Sequence, residues 1–148
     1  MAVKAKTAKR LECCEITSKV LTNGELDELV EHYKIKNYHG CFIDDKLPKK
    51  LRNGYYVVNL NGHSHWTCLL KDGNKYFYFD SYGFFASEEV EDQIGEYIYS
   101  TDQLQDMNSS SCGYYCIAWM QNRVYLRAEF ILLCLKLFFS ASSFYVYG

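Results

Sequence analysis

Four side chains in this sequence have the types and the order that cysteine-based acyl transfer requires. They are His65, Asp80, Gln105 and Cys112. A cysteine thiolate attacks a carbonyl carbon, a histidine moves the proton, and a carboxylate orients the imidazole. A side-chain amide such as that of Gln105 can donate a hydrogen bond to the oxyanion that forms. Each residue alone more often has a structural role, so the prediction of a thiol endopeptidase depends on all four coinciding.

The residues around His65 and Asp80 predict a β-hairpin. Residues 55–60, 65–70 and 75–80 are predicted to be strands because they are rich in residues that favour extended backbone. Asp72-Gly73, between the last two strands, is a strong signal for a two-residue turn.

The position of this turn decides which side chains meet. If the turn is Asp72-Gly73 alone, Lys71 pairs with Asn74 and His65 lies directly opposite Asp80. Opposed residues on antiparallel strands have Cβ atoms about 4.5–5.5 Å apart, so the imidazole and the carboxylate can touch. A slip of one residue would place them on opposite faces. The other face is expected to be the core side and carries Trp66, Cys68, Leu70, Phe77 and Phe79.

A helix is predicted to begin at the candidate nucleophile. Ser111 can cap a helix that starts at or near Cys112 and runs to about Leu126. The free N–H groups and the positive dipole end at a helix N-terminus stabilise a thiolate. Gly113 is expected to let a substrate carbonyl approach the backbone closely. The N–H of Cys112 and the side chain of Gln105 could together form an oxyanion hole.

Other histidines and cysteines are weaker candidates for this chemistry. His63 lies in a predicted turn and is expected on the exposed surface. Cys116 follows one helical turn after Cys112, lacks the advantage of the helix N-terminus, and is expected in the core. No comparable setting surrounds the remaining cysteines, which are Cys13, Cys14, Cys41, Cys68 and Cys134.

Composition limits the classes of function. The chain has 148 residues, of which 49% are hydrophobic and 23% charged, which suits one globular domain. A net charge of -2 argues against a dedicated nucleic-acid binder, which is usually strongly basic. The 7 cysteines form neither a CxxC pair nor a zinc pattern, so no metal and no other cofactor is expected. Because no apolar signal-peptide core is present, we expect the reducing cytosol or nucleus.

Three regions are expected along the chain. Residues 1–20 form a flexible basic N-terminal arm, residues 21–126 the catalytic domain, and residues 127–148 an apolar C-terminal tail. The apolar run at 130–139 is too short, and is interrupted by Lys136, for a membrane span of about 20 residues. We interpret it as core or as a misfolded tail. A membrane anchor and a translated non-coding extension are the alternatives.

The rest of the domain is predicted from capping and turn signals. Thr22-Asn23 can cap an amphipathic helix that ends near Lys36. Residues 37–53 contain the only proline and several turn residues, and are predicted to be a loop. Ser87 can cap a helix that runs to about Tyr99.

Longer strings of residues resemble a known protease family. They are Gly-His-Ser-His-Trp at 62–66, Tyr-Phe-Asp-Ser-Tyr-Gly-Phe at 78–84, and the segment 105–116, in which six residues separate a Gln from a Cys-Gly pair. With the Asp-x3-Pro pattern in 40–48, they resemble the adenovirus-type cysteine endopeptidase, adenain. That enzyme shares a clan with the ubiquitin-like-protein proteases. The resemblance covers about residues 29–122.

The resemblance implies a role for each matched residue. Cys112 would be the nucleophile, His65 the base, Asp80 the orienting acid and Gln105 the oxyanion donor; adenain itself has Glu at the acid position, while the wider clan uses Asp. The implied fold is α+β and papain-like in clan, with catalytic residues in the order His, Asp, Cys. A mixed or antiparallel β-sheet bearing His and Asp packs against the nucleophile helix, and the chain is short at its C-terminal end because family members carry further helices there.

Three neighbours of the histidine and the cysteine are expected at the substrate. They are Trp66, which also packs beside the histidine, Gly113 and Ser111. The implied substrate is a protein or peptide in extended conformation, in particular a viral precursor polyprotein cut after small residues such as Gly. The implied setting is a monomeric enzyme of a DNA virus or virus-like transposon, in host cytoplasm or nucleus or packaged in the virion, with no clear membrane partner. Adenain uses a peptide and DNA as activators, and for this chain an activator of either kind follows from the analogy alone.

Two other functions stay open from the sequence. One is a deconjugating protease that removes a ubiquitin-like modifier. The other is a truncated, non-catalytic protein-binding module, which would fold and bind peptide without turning it over.

Overall fold

The computed structural model describes residues 11, 15–62, 65–124 and 144–147. Within these residues the chain is an α+β protein, as expected. The helices are α1 (Asn23–His32), α2 (Glu88–Ile94) and α3 (Cys112–Val124). The strands are β1 (Tyr38–Ile43), β2 (Gly54–Asn59), β3 (Trp66–Asp72), β4 (Lys75–Phe79), β5 (Tyr97–Ser100) and β6 (Phe144–Tyr147).

The strands form one mixed sheet in the order β1-β2-β3-β4-β5-β6. The pairs β1/β2 and β4/β5 are parallel, and the other three neighbouring pairs are antiparallel. The predicted strands at the centre of the sheet are therefore present and antiparallel. Strand β1 extends the sheet beside β2, and strand β5 extends it beside β4.

Hydrophobic clusters cover both faces of the sheet. On one face, Trp66, Cys68 and Phe79 pack with residues of α1 and α3, which confirms the expected core side. On the other face, Leu69 and Tyr78 pack with residues of α2. The second face is thus also buried. Burial on both sides holds the central hairpin between two layers of helix.

Helix α1 begins where the sequence predicts. The Thr22 hydroxyl accepts a hydrogen bond from the Glu25 N–H at 3.2 Å, and the Glu25 carboxylate accepts one from the Thr22 N–H at 2.9 Å. This reciprocal capping satisfies two otherwise free donors. The predicted end near Lys36 is wrong, because the helix stops at His32 and Lys34 adopts a left-handed φ of 54°.

Two predictions of local structure are wrong in the same way. The loop predicted at 37–53 contains β1, and the helix predicted to reach Tyr99 ends at Ile94 and is followed by β5. Gly95, with a φ of 68°, terminates that helix. Both missed strands pair in parallel with strands distant in sequence, so no local turn or hairpin signal announced them.

The central hairpin has a two-residue turn, but one position later than predicted. Asp72 pairs with Lys75, which leaves Gly73 and Asn74 in the turn, and Gly73 takes a left-handed φ of 61°. The predicted pairing of Lys71 with Asn74 is wrong. Because every pair is displaced by two positions, each side chain keeps its predicted face.

The expected terminal regions lie largely outside the described residues. Residues 1–10, 12–14, 125–143 and 148 are not described, and these include the predicted end of α3 at Leu126 and the apolar run of the tail. Where the chain is described, residues 144–147 pair with β5. No helix in the described part of the chain is long and apolar enough to cross a membrane.

Candidate active site

His65 and Asp80 form a hydrogen-bonded pair at one end of the central hairpin. The Nε2 of His65 lies 2.9 Å from the Oδ2 of Asp80, and the two side chains are 21% and 1% exposed. The second carboxylate oxygen, Oδ1, accepts a hydrogen bond from the Tyr82 N–H at 2.7 Å. Both oxygens of the buried acid therefore have a partner, and the imidazole is held in one orientation.

The strands explain this contact, although the predicted pairing does not. His65 directly precedes β3 and Asp80 directly follows β4, so an antiparallel hairpin brings them to the same end of the sheet. Cys68 pairs with Phe79, and the same register puts Asp80 opposite Thr67, two residues from His65. The predicted direct opposition is wrong. The two side chains meet as diagonal neighbours, which lie within reach of long side chains.

The environment of His65 favours the imidazolium. Burial lowers the pKa of the ring, but hydrogen bonds to Asp80 and Cys112 and the charges of both groups more than offset it and raise the pKa to about 9. Nε2 is bound to Asp80, which leaves Nδ1 for the contact with Cys112. At neutral pH the ring is therefore a cation between a carboxylate and a sulfur.

Cys112 is the first residue of α3, as predicted, and is 2% exposed. Its Sγ accepts a hydrogen bond from the Trp66 N–H at 3.3 Å. The start of the helix is held by the N-terminal segment, where the Ser18 Oγ accepts from the Ser110 N–H. The sulfur thus has a cationic ring and a backbone donor beside it, both of which stabilise negative charge on sulfur.

Gln105 is buried beside this group and is hydrogen bonded at both ends of its carboxamide. The Ser81 hydroxyl donates to Oε1 at 2.6 Å. Nε2 donates to the Ser109 carbonyl at 2.7 Å and to the Tyr82 hydroxyl at 3.3 Å. The amide therefore has a defined orientation. Of the two hydrogen bonds that Nε2 donates, the one to the Tyr82 hydroxyl is the longer.

Tyr82 belongs to the site, and the sequence analysis gave it no role. Its ring stacks on the imidazole of His65, with centroids 4.8 Å apart and an angle of 23° between the planes. Its hydroxyl donates to the Ser109 carbonyl at 3.0 Å. A signal was present, since Tyr82 lies two residues after the acid inside one of the strings that carry the family resemblance.

The three residues expected at the substrate are buried. The Trp66 indole donates to the Leu21 carbonyl at 2.8 Å, which supports the predicted packing role. The Ser111 hydroxyl donates to the Thr17 carbonyl at 2.8 Å. At Gly113 an added Cβ would lie 2.8 Å from a methyl carbon of Leu21, so the missing side chain makes room for Leu21. Contact of these three residues with substrate stays a prediction.

The competing residues differ clearly from Cys112. Cys116 is fully buried, as predicted, and burial raises the pKa of its thiol well above the usual range. Burial also raises the pKa of Cys41, to about 11. His63 lies outside the described residues. Among the residues that are described, no group of three or more His, Cys, Asp or Glu side chains is placed to hold a metal ion.

Comparison of the chain with family models, with curated proteins and with solved structures found no match in any of the three.

The arrangement can support nucleophilic chemistry on a carbonyl carbon. A cationic imidazole lies between two groups. Its Nδ1 faces a sulfur at a helix N-terminus, and its Nε2 faces a buried carboxylate. A buried carboxamide and the first N–H groups of α3 lie in the same region. These are the parts that a thiol-dependent acyl transfer needs.

Proposed function

We propose that the protein is a cysteine endopeptidase with Cys112 as nucleophile, His65 as proton carrier and Asp80 as orienting acid. The observation that carries this proposal is the hydrogen-bonded row of Asp80, His65 and Cys112. A buried carboxylate bonded to an imidazole that in turn contacts a thiol at a helix N-terminus is the arrangement that activates a cysteine nucleophile. The papain-like, adenain-like fold is part of the same proposal and is supported by the motif strings and the α+β sheet.

The proposed reaction proceeds through an acyl-enzyme. The Cys112 sulfur attacks the carbonyl carbon of the scissile peptide bond, and the carbonyl oxygen takes the negative charge. His65 gives its Nδ1 proton to the leaving nitrogen as the C–N bond breaks. Water then attacks the thioester, His65 takes a proton from that water, and the acid product leaves as the sulfur is released.

Gln105 would stabilise the negative oxygen in both steps. Nε2 carries two hydrogens, one bound to the Ser109 carbonyl and the other to the Tyr82 hydroxyl at the longer distance of 3.3 Å. We expect the second bond to give way to the oxyanion, with the Cys112 N–H as the other donor. Removing one such donor typically lowers the rate by about 10²–10³.

The burial of the site supports a small residue before the cleaved bond. Cys112 is almost fully enclosed, and Tyr82 lies across the imidazole next to it. An extended peptide can bring a glycine carbonyl to the sulfur with less displacement of these side chains than any larger residue. By resemblance, the substrates would be viral precursor polyproteins and the enzyme would act inside host cells.

The test is labelling by a peptide probe that ends in a glycine electrophile, at neutral pH, followed by mass-spectrometric mapping. We expect selective modification of Cys112 that is lost in His65→Ala. The matched control is His39→Ala, because His39 is a partly buried histidine that contacts the Asn53 carbonyl, away from the site. Equal slow labelling of Cys112 and Cys41 would refute an activated nucleophile and favour the non-catalytic binding module.

Substrate panels then separate the two protease functions. Cleavage of precursor-derived peptides after glycine supports the endopeptidase. Release of a modifier that ends in Gly-Gly, without cleavage of such peptides, would instead support the deconjugating protease.

A further inference from the structure

The side chain of Ser81 lies between the proposed acid and the proposed oxyanion donor. It follows Asp80 in the chain and is 0% exposed. Its hydroxyl donates to the Oε1 of Gln105 at 2.6 Å, the shortest contact of that carboxamide. A hydrogen bond between two enclosed side chains is not exchanged with water, so it constrains the amide strongly.

The two ends of the Gln105 carboxamide have distinct partners. The Ser109 carbonyl can only accept a hydrogen bond, so the end 2.7 Å from it must be the NH2 group. The Ser81 hydroxyl binds the opposite end as a donor. A flipped amide would place two carbonyl oxygens against each other at Ser109 and would leave the Ser81 hydroxyl facing an NH2 group.

The backbone of Ser81 binds the same loop. Its carbonyl accepts hydrogen bonds from the N–H groups of Leu104 at 2.8 Å and of Gln105 at 3.0 Å. One residue therefore holds both the main chain and the side chain of Gln105. This double attachment ties the candidate oxyanion donor to the turn that begins with Asp80.

We propose that Ser81 is a positioning residue that keeps the NH2 group of Gln105 directed at the reacting carbonyl. The inference rests on the proposed function, because it gives Gln105 the oxyanion role. The Ser81 hydroxyl does not touch substrate. It acts through Gln105, and its loss lowers stabilisation of the transition state without changing how the peptide binds.

The kinetic test compares Ser81→Ala with Ser87→Ala, at the end of the same loop. The Ser87 hydroxyl is buried and has no hydrogen-bond partner among the described residues, so it is a matched control. For Ser81→Ala we expect kcat to fall about tenfold at constant KM, the loss expected for one buried hydrogen bond. Ser87→Ala should leave both constants unchanged. Ser81→Cys, which keeps the size and a weak donor, should restore part of kcat.

A double-mutant cycle separates positioning from general support of the fold. In Gln105→Ala, adding Ser81→Ala should change kcat by no more than about twofold, because the group that it acts through is gone. A second full tenfold loss in this background would overturn the inference, as would wild-type kcat in Ser81→Ala.

A measurement that needs no turnover distinguishes failure of this inference from failure of the proposed function. The side-chain NH2 signals of Gln105 can be assigned by their absence in Gln105→Ala. Their NMR order parameters should be high in the wild type and in Ser87→Ala. The signals should lose that order in Ser81→Ala. If the wild type cleaves nothing but this loss is seen, the protease proposal fails and the positioning by Ser81 stands. Unchanged order in Ser81→Ala would overturn the positioning.

Discussion

Replacing Asp80 with Asn is expected to lower the pKa of His65 by about 2 units, since an opposite charge in direct contact shifts a pKa by about 1–3 units. The carboxylate is 1% exposed and lies 2.9 Å from Nε2, so water screens it little. The hydrogen bonds and charges of Asp80 and Cys112 raise the pKa of the ring, whereas burial lowers it. In Asp80→Asn the burial remains and the larger opposing contribution is lost. The pKa should therefore fall from about 9 towards or below its usual value of 6.5.

The same substitution should move the proton of the neutral ring from Nε2 to Nδ1. The carboxamide that replaces the carboxylate can still accept from the Tyr82 N–H through its oxygen, which turns its NH2 group towards Nε2 of His65. Nε2 must then accept, so the single proton of the neutral ring is on Nδ1, facing Cys112. A ring in this state cannot take a proton from the thiol. In the chymotrypsin-like proteases the corresponding change lowers kcat by about 10⁴, and we expect a loss of about 10²–10⁴ here.

The assay is an NMR titration of the histidine ring signals, with the His65 signal identified by its absence in His65→Ala. The rate of Cys112 alkylation by iodoacetamide is followed over the same pH range. Asp72→Asn is the matched control, because Asp72 is an exposed carboxylate at the turn end of the same hairpin. A His65 pKa that is the same in Asp80→Asn and in the wild type would refute the reasoning.

Three further predictions concern stability. Gly113→Ala should lower the free energy of unfolding in urea by about 1–3 kcal/mol, because the new methyl group displaces Leu21 in a packed core; unchanged stability would mean that Leu21 moves freely. The raised pKa of His65 stabilises the fold fully below pH 6.5, and this contribution is lost as pH rises through about 9. The free energy of unfolding should therefore fall by about 2 kcal/mol over that window, after allowance for the partial exposure of the ring, and the fall should be absent in His65→Gln. Thr22→Ala should cost about 1 kcal/mol by removing the cap of α1, and Thr22→Ser should retain most of it.

The parts of the fold that the sequence predicted well are those decided by local chemistry. The start of α1 follows from the Thr22 cap. Helix α3 begins at Cys112 as expected, although the Ser111 hydroxyl that was predicted to cap it donates to the Thr17 carbonyl. The central strands follow from the residue types and from a turn signal between them. The ends of the helices were less accurate. Lys34 takes a left-handed φ after α1 with no glycine to announce it, whereas Gly95 after α2 was a signal that the prediction passed over.

The missed strands depend on partners distant in sequence. Strand β1 has a glycine within it and is stabilised by parallel pairing with β2, while β5 pairs in parallel with β4 and carries β6 on its other edge. Such pairing gains its hydrogen bonds only after the sheet is assembled. Composition and short-range spacing do not encode it.

The contact between His65 and Asp80 was expected for a reason that was partly wrong. The turn lies one residue later than predicted, which displaces each pair by two positions and keeps the faces. Because side chains alternate with a period of two, the contact survives this displacement but would not survive a displacement of one. The roles of Tyr82 and Ser81 could not be obtained in this way, since they depend on contacts with a loop some 24 residues further along the chain.

The turn at residues 80–83 links the two halves of the proposed chemistry. Its first residue binds His65, its second binds Gln105, and its third stacks on the imidazole while donating to the loop that follows Gln105. Gly83 completes it with a φ of 79°, and an added Cβ there would lie 2.4 Å from the Thr101 carbonyl oxygen. The base and the amide donor are therefore attached to one short piece of backbone. The turn thus contributes to the position of both the proposed proton carrier and the proposed oxyanion donor. In the proposed mechanism, the placement of this turn against the N-terminus of α3 sets how the imidazole and the carboxamide meet the Cys112 sulfur.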